Sequence, residues 1–162
     1  MPAITPNLWF DTQGEDAAKF YVSIFPNSSI DNVSHYGEAG PREPGTVLTV
    51  DFTLDGTRFT AINGGPEFSF DEAVSFLIPC KDQDEIDRYW KRLLADGGQE
   101  SQCGWLKDKY GLSWQVVPTV LDEMIADPDK EKAERAMKAM LGMVKLDIAE
   151  LQRAFDGADA KT

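Results

Sequence analysis

Residues 102–118 read QCGWLKDKYGLSWQVVP: an aromatic run, a charged turn with a glycine, then a second run that ends at proline. Two short strands joined by a tight turn satisfy this pattern, because Asp, Lys and Gly are turn formers and Trp, Val and Tyr favour strands. Side chains alternate across a strand, so Ser113, Gln115 and Val117 share one face while Trp114 and Val116 share the other. A neutral amide, Gln115, therefore points into whatever the first face lines. Asp108, Lys109 and Gly111 form the turn that sets the register.

Upstream, the chain runs through the same order of elements twice. Residues 4–10 read as a strand whose first half lies at an edge or enters from a loop, given Pro2 and Pro6. Thr12-Gln13-Gly14-Glu15 has the form of a capping box, and Ala17, Ala18, Phe20, Tyr21, Ile24 and Phe25 follow at helical spacing until Pro26. Residues 29–36 form a second strand and the glycine- and proline-rich residues 37–45 a loop. Residues 46–54 and 57–63 then make a hairpin around Asp55-Gly56. From residue 73 the order begins again. A strand spans 74–80, Asp82 and Glu85 repeat the cap, and Ile86, Tyr89, Trp90, Leu93 and Leu94 stripe a helix. Short strands near 99–101 and 103–107 lead into 113–117. Phe20-Tyr21 recurs as Tyr89-Trp90, an internal repeat displaced by about 70 positions.

The fold class is α+β, with two βαβββ modules and a C-terminal helical extension. The expected limits are 1–66 for the first module, 67–118 for the second and 119–162 for the extension, all within one compact domain. In the extension, Thr119 is expected to cap a short helix, Asp127-Pro128 to start another and Asp147 to cap a third. Ala133, Ala136, Met137, Met140, Leu141 and Val144 form an apolar side that needs a partner surface, either this subunit's own or a second subunit's. A methionine stripe of this kind, with Met143, is ordinarily a packing face. The acidic run at 82–87 suits a helix N-terminus.

Composition narrows the function. The 162 residues carry a formal charge of −12, which repels a phosphate backbone and anionic membranes, so neither nucleic acid nor a membrane is an expected partner. No window approaches the roughly 18 continuous apolar residues of a membrane span, and no signal-peptide plan opens the chain. A cytoplasmic location is expected. Cys80 and Cys103 lack paired-ligand spacing and read as reduced thiols.

The paired modules, with LWFDTQGEDAAKFYVSIFPNS, PGTVLTVDFTLDG, INGGPEFSF and QCGWLKDKYGLSWQVVP, resemble the PhnB-like family, often labelled a 3-demethylubiquinone-9 3-methyltransferase domain. That family belongs to the vicinal oxygen chelate superfamily, alongside glyoxalase, extradiol dioxygenases, and the fosfomycin and bleomycin resistance proteins. The tail segment DPDKEKAERAMKAML also resembles the family's. The resemblance implies mixed sheets curled into half-cups that enclose a cavity, and commonly a homodimer. In metal-using members, ligands come from the first and a late strand of each module, usually His and Glu. The matching positions here fall on or near Ser75 and on Gln115, with first-module counterparts around Asn7 and between Thr60 and Asn63. None is an acid or an imidazole. Such groups hold zinc, nickel or iron(II) poorly, and with His35 the single histidine a two-histidine site within one chain is excluded. No metal and no cofactor is therefore expected. The methyltransferase label implies S-adenosylmethionine, whose binding commonly uses a glycine-rich turn from a parallel strand into a helix. Gly64-Gly65-Pro66 precedes a strand and Gly97-Gly98 follows a helix, so neither is placed for it.

The candidate ligand-binding residues are Asn7, Trp9, Asn63, Ser75, Trp105 and Gln115, with amides and hydroxyls to orient a small molecule and indoles to stack on it. Their plainer reading is that they bond across the sheets and fill them. Cys103 near Lys107 is a candidate reactive thiol, and His35 a candidate general base that reads more simply as a solvent-facing strand end. Cys80, inside an apolar strand, reads as core. The leading expectation is a metal-independent small-molecule-binding protein. The alternative is an isomerase, lyase or transferase using His35, Cys103 or a carboxylate in the same cavity. A third reading makes the tail an oligomerisation device.

Overall fold

The computed structural model describes residues 3–157, and the chain divides into two compact units, Met1–Phe70 and Asp71–Thr162. In the first unit, β1 (Asn7–Phe10), α1 (Gly14–Ile24), β2 (Ser29–His35), β3 (Val47–Leu54) and β4 (Thr57–Asn63) follow in order. The sheet order is β1-β4-β3-β2, with β1 parallel to β4 and the other pairs antiparallel. Alternation in β3 and β4 turns Val50, Phe52, Leu54, Phe59 and Ala61 toward Ala17, Ala18, Tyr21 and Ile24 of α1, all buried. Phe52 stacks between Tyr21 and Phe59, with centroids 6.3 and 5.5 Å away. Asp55 and Gly56, with φ of 47° and 84°, make the tight turn of the hairpin. Residues 67–70 pack on this unit: the rings of Phe68 and Phe70 meet Trp9 and Phe10 edge-on at 5.0 and 5.3 Å.

Two expectations for this unit need correction. Strand β1 begins only at Asn7, because Pro6 offers the sheet a carbonyl alone, which accepts from Thr60 N–H at 3.0 Å, and Ile4 is fully exposed; Pro2 lies outside the described residues. The capping box at Thr12 does not form, since α1 starts one residue later, with Gln13 at its N-cap and no side-chain cap bond of its own. The free amide of Gly14 donates instead to Oδ1 of Asn63 at 2.7 Å. A methyl group at residue 14 would sit 2.7 Å from that oxygen, so only glycine lets the helix start approach the amide.

The second unit repeats the order with β5 (Ser75–Cys80), α2 (Gln83–Leu94), β6 (Gln99–Glu100), β7 (Trp105–Lys107) and β8 (Ser113–Pro118), arranged β5-β8-β7-β6. Asp82 caps α2 by accepting from Glu85 N–H at 2.9 Å, and Glu85 reaches back to Lys81 N–H. Ile86, Tyr89, Trp90 and Leu93 pack on Ile78, Cys80, Leu106, Trp114 and Val116, all buried. The turn between β7 and β8 is built on Asp108, only 2% exposed. Its Oδ1 accepts from Tyr110 N–H at 2.8 Å and Leu112 N–H at 3.1 Å, and its Oδ2 accepts from the Trp114 indole at 2.9 Å. Cys103 is not in a strand as expected. It sits in a turn with φ of 59°, and its amide and that of Gly104 donate to Met143 and Val144 carbonyls at 2.8 Å.

That pairing docks the C-terminal helices α3 (Thr119–Ile125), α4 (Lys130–Leu141) and α5 (Ile148–Asp156). Thr119 is the first residue of α3 rather than its cap, which is Pro118. Asp129, not Asp127, caps α4, accepting from Glu131 and Lys132 amides, while Asp127 accepts from Asp129 N–H. Asp147 caps α5 as expected. Helix α4 ends at Leu141, leaving Val144 beyond the expected stripe. Leu121, Met124, Ala136, Leu146 and Leu151 form a core of their own. Gln83 ties this core to α2 by donating to Leu146 O at 3.1 Å and accepting from Ile148 N–H at 2.8 Å; Lys145 adds an ion pair with Asp87 at 2.8 Å. The tail's apolar side is thus covered only in part within its own unit: Ala136 is buried, while Leu141 and Val144 stay exposed.

Three outcomes follow from these contacts. Asn63→Ala removes the cap of α1 and should lower stability by about 1–3 kcal/mol in urea unfolding. Asp108→Ala strands two turn amides and a buried indole and should cost roughly 3 kcal/mol or more, with altered tryptophan fluorescence. The hydrogen bond from Lys145, then that from Gln83, holds the Asp87 carboxyl below its ordinary value. A depressed folded value gives stability that is present above the unfolded value, about 3.9, and lost as pH falls through the folded one. Solvent screening limits it to under about 1 kcal/mol, so the small stability gap between wild type and Asp87→Asn at neutral pH should close as pH falls through the lowered folded value.

Candidate functional site

Because Trp114 and Val116 of β8 face α2, the alternating Ser113, Gln115 and Val117 face the opposite side of the second sheet. Register places Ser75 on β5 and Lys107 on β7 beside Ser113, and Leu77 and Trp105 beside Gln115. These six side chains share one open face. Gln115 Nε2 donates to Ser75 Oγ at 2.9 Å, which leaves the amide oxygen available as an acceptor. Leu77 is 53% exposed on the edge strand β5, an apolar surface with nothing of this unit over it. At one end a cavity of about 120 Å³ is lined by Glu72, Gln99, Ser101, Trp105, Lys107 and Ser113. There Lys107 Nζ pairs with Glu72 at 2.5 Å, and the hydrogen bond from Lys107 holds the Glu72 carboxyl below its usual range. Ser113 is fully buried, and its hydroxyl is without a hydrogen-bond partner among the described residues.

The first unit presents less. Asn7 and Trp9 alternate onto the sheet face away from α1, with Asn7 exposed and donating to Thr5 O at 3.1 Å. The Trp9 indole donates to Gly65 O at 2.9 Å, and its ring lies so close to Gly64 that a Cβ there would fall 2.3 Å from it. Asn63 points the other way, toward α1. Beyond its bond to Gly14 it donates to Val47 O at 3.2 Å, and its own carbonyl accepts from the Tyr36 hydroxyl at 2.6 Å. It also borders a cavity of about 450 Å³ beside the start of α1, with Thr12, Glu15, Asp16, Arg42 and Glu43.

Of the six residues expected at the site, the structure therefore brings Ser75, Trp105 and Gln115 onto one face of the second unit. Asn7 and Trp9 share a face of the first, and Asn63 lies on its opposite side. His35 is exposed at the end of β2. The Cys103 sulfur lies 3.8 Å from Leu141 O, and the Lys107 ammonium is engaged by Glu72. Cys80 is core, its thiol pushed up to about 12 by burial and then by the Glu85 carboxylate. Ser113, Lys107 and Glu72 were absent from the expected set. Alternation two positions before Gln115 points to Ser113; Glu72 comes from a linker whose reach only the fold reveals.

A divalent metal wants imidazole, thiolate or carboxylate donors. At the matched positions the Ser75 hydroxyl and Gln115 amide bond each other, and no group of three or more His, Cys, Asp or Glu converges among the described residues. These residues do not fit such an ion. Nor do they fit S-adenosylmethionine. The strand-to-helix turns carry Asp11-Thr12-Gln13 and Lys81-Asp82 with no glycine run, and Gly64-Gly65 packs beneath Trp9.

Residues 2–117 match the family model described as 3-demethylubiquinone-9 3-methyltransferase, so helices α3 to α5 lie beyond the match. Among solved structures, a putative 3-demethylubiquinone-9 3-methyltransferase, the PhnB protein of Bacillus cereus, is 36% identical with a TM-score of 0.66. That comparison covers 73% of this chain and all of that one. The protein PA1353 of Pseudomonas aeruginosa is 16% identical, TM-score 0.60, over 73% of this chain and 98% of that one. A possible glyoxalase of Bacillus cereus is 15% identical, TM-score 0.50, over 72% and 98%. These last two share the fold alone. No curated protein matches the chain significantly. With more than two thirds of its length matched, two mixed four-stranded sheets, and a relative at 36% identity, the chain belongs to the PhnB-like, 3-demethylubiquinone-9 3-methyltransferase family.

Proposed function

We propose that this protein binds a small organic molecule on the open face of the second sheet, through hydrogen bonds and stacking and without a divalent metal. The observation that carries the reading is the Gln115–Ser75 hydrogen bond, which sets neutral groups where metal-using relatives present charged or imidazole ligands. The exposed Leu77 and the half-buried Trp105, one on either side of Gln115, supply the apolar and aromatic surface that such a ligand needs. Pairing of two copies, common in the superfamily, and a cytoplasmic setting belong to the same proposal. Among the described residues no helix is long and apolar enough to cross a membrane.

The test is a calorimetric screen of small amides, phenols and heteroaromatic compounds against the full chain, followed by the same hits on Gln115→Ala. Losing the amide should weaken binding about tenfold, the equivalent of one good hydrogen bond, with the compound recovered unchanged. Affinity untouched by Gln115→Ala would contradict this assignment. A compound recovered chemically altered from wild type, but intact from His35→Ala, would instead establish an enzyme.

A further inference from the structure

The two units carry matching positions with unlike chemistry, and the mismatch points to a ligand group. In the first unit the β4 hydroxyl, Thr60, has Asp51 as its cross-strand neighbour and donates to it at 2.8 Å. In the second unit the β8 hydroxyl, Ser113, has Lys107 in that place. An ammonium only donates, so the Ser113 proton finds no acceptor there. It stays unpaired in a fully buried side chain. A buried hydroxyl left without a bond costs on the order of 1–3 kcal/mol, and the fold gains nothing visible from it. Two further residues that carry donors line the same small cavity: Lys107 itself and Trp105, whose indole N–H has no acceptor among the described residues. Glu72 is already seated on Lys107, yet it comes from the linker before β5 and its side chain is 62% exposed.

Resting on the binding reading above, we propose that the ligand carries a carboxylate, which enters this cavity, displaces Glu72 from Lys107 and accepts the Ser113 proton. Glu72 marks the place by holding a carboxylate there within the chain. The cavity, about 120 Å³, has room for roughly four water-sized groups, enough for a carboxylate and its adjoining carbons. The remainder of the ligand then extends past Gln115 toward Leu77, which share the face. The exchange of one carboxylate for another leaves the local charge balanced once Glu72 has swung out, and the other acidic residue lining the cavity, Glu100, is held by the Trp90 indole N–H at 2.9 Å.

The test follows the indole N–H resonance of Trp105, assigned by its loss in Trp105→Phe, during titration of the labelled full chain at constant ionic strength. Sodium propionate is the probe and propionamide its neutral control. Propionate should give a saturable shift in the millimolar range and propionamide none. Ser113→Ala and Lys107→Met should each weaken propionate severalfold, with Ser113→Ala no less stable than wild type because it removes an unpaired hydroxyl. Glu72→Gln should tighten propionate severalfold by removing its competitor. Equal shifts from both probes, no saturable shift, or weaker binding in Glu72→Gln would overturn the proposal. If propionate fails while neutral compounds still depend on Gln115, only the carboxylate assignment falls. If propionate behaves as described while no compound depends on Gln115, the broader reading falls instead.

Discussion

The Asp108 carboxylate fixes the phase of strand β8, and most of what distinguishes the second unit follows from that phase. By closing the turn on two amides and holding the Trp114 indole, it commits Trp114 to the helix-facing side of the sheet. With a side-chain period of two, that choice sends Ser113 and Gln115 to the open face; a slip of one residue would bury the amide and expose the indole. The bond is short-range in sequence and therefore inexpensive in chain entropy. It is also fully enclosed, which makes an unpaired alternative costly.

The two units share strand order and differ in how they solve the same local problems. Helix α2 is capped by its own Asp82, whereas α1 borrows the side chain of Asn63 from the end of β4. The borrowed cap couples helix and sheet in the first unit and engages the one candidate amide that points toward the helix. On the open faces the first unit pairs hydroxyl with carboxylate, and the second opposes hydroxyl with ammonium. The internal repeat thus conserves backbone geometry while leaving the faces free to diverge in chemistry. The C-terminal helices, beyond the family match, add to the second unit a core of their own, joined through Gln83, Lys145 and the turn at Cys103.

Much of this was legible in the residues. Alternation identified β3, β4 and β8, and the helical stripes identified α1 and α2, because each element buries one face and the burial period is written directly in its sequence. The family resemblance and the neutral character of Ser75 and Gln115 were legible for the same reason: they are local facts. What escaped were bonds between distant positions. Thr12 carries the local signature of a cap, yet a partner 49 residues away from Gly14 supplies it. Thr119 was assigned a cap position that falls to Pro118, and the helix expected to start at Asp127-Pro128 is capped by Asp129, since local sequence does not fix a helix end to the residue. Glu72 lay in a linker, and its bond to Lys107 exists only once the sheet has brought β7 alongside.

The central claim is that hydrogen bonding between neutral groups, rather than metal coordination, organises the face around Gln115. Crystals grown with excess zinc, nickel and manganese in turn, measured at each metal's absorption edge, test it most directly. The account predicts that no anomalous density appears between Gln115 and Ser75 and that the amide stays bonded to the hydroxyl. An anomalous peak within about 2.0–2.3 Å of Gln115 Oε1 would contradict it, since that is the distance of a coordinated ion.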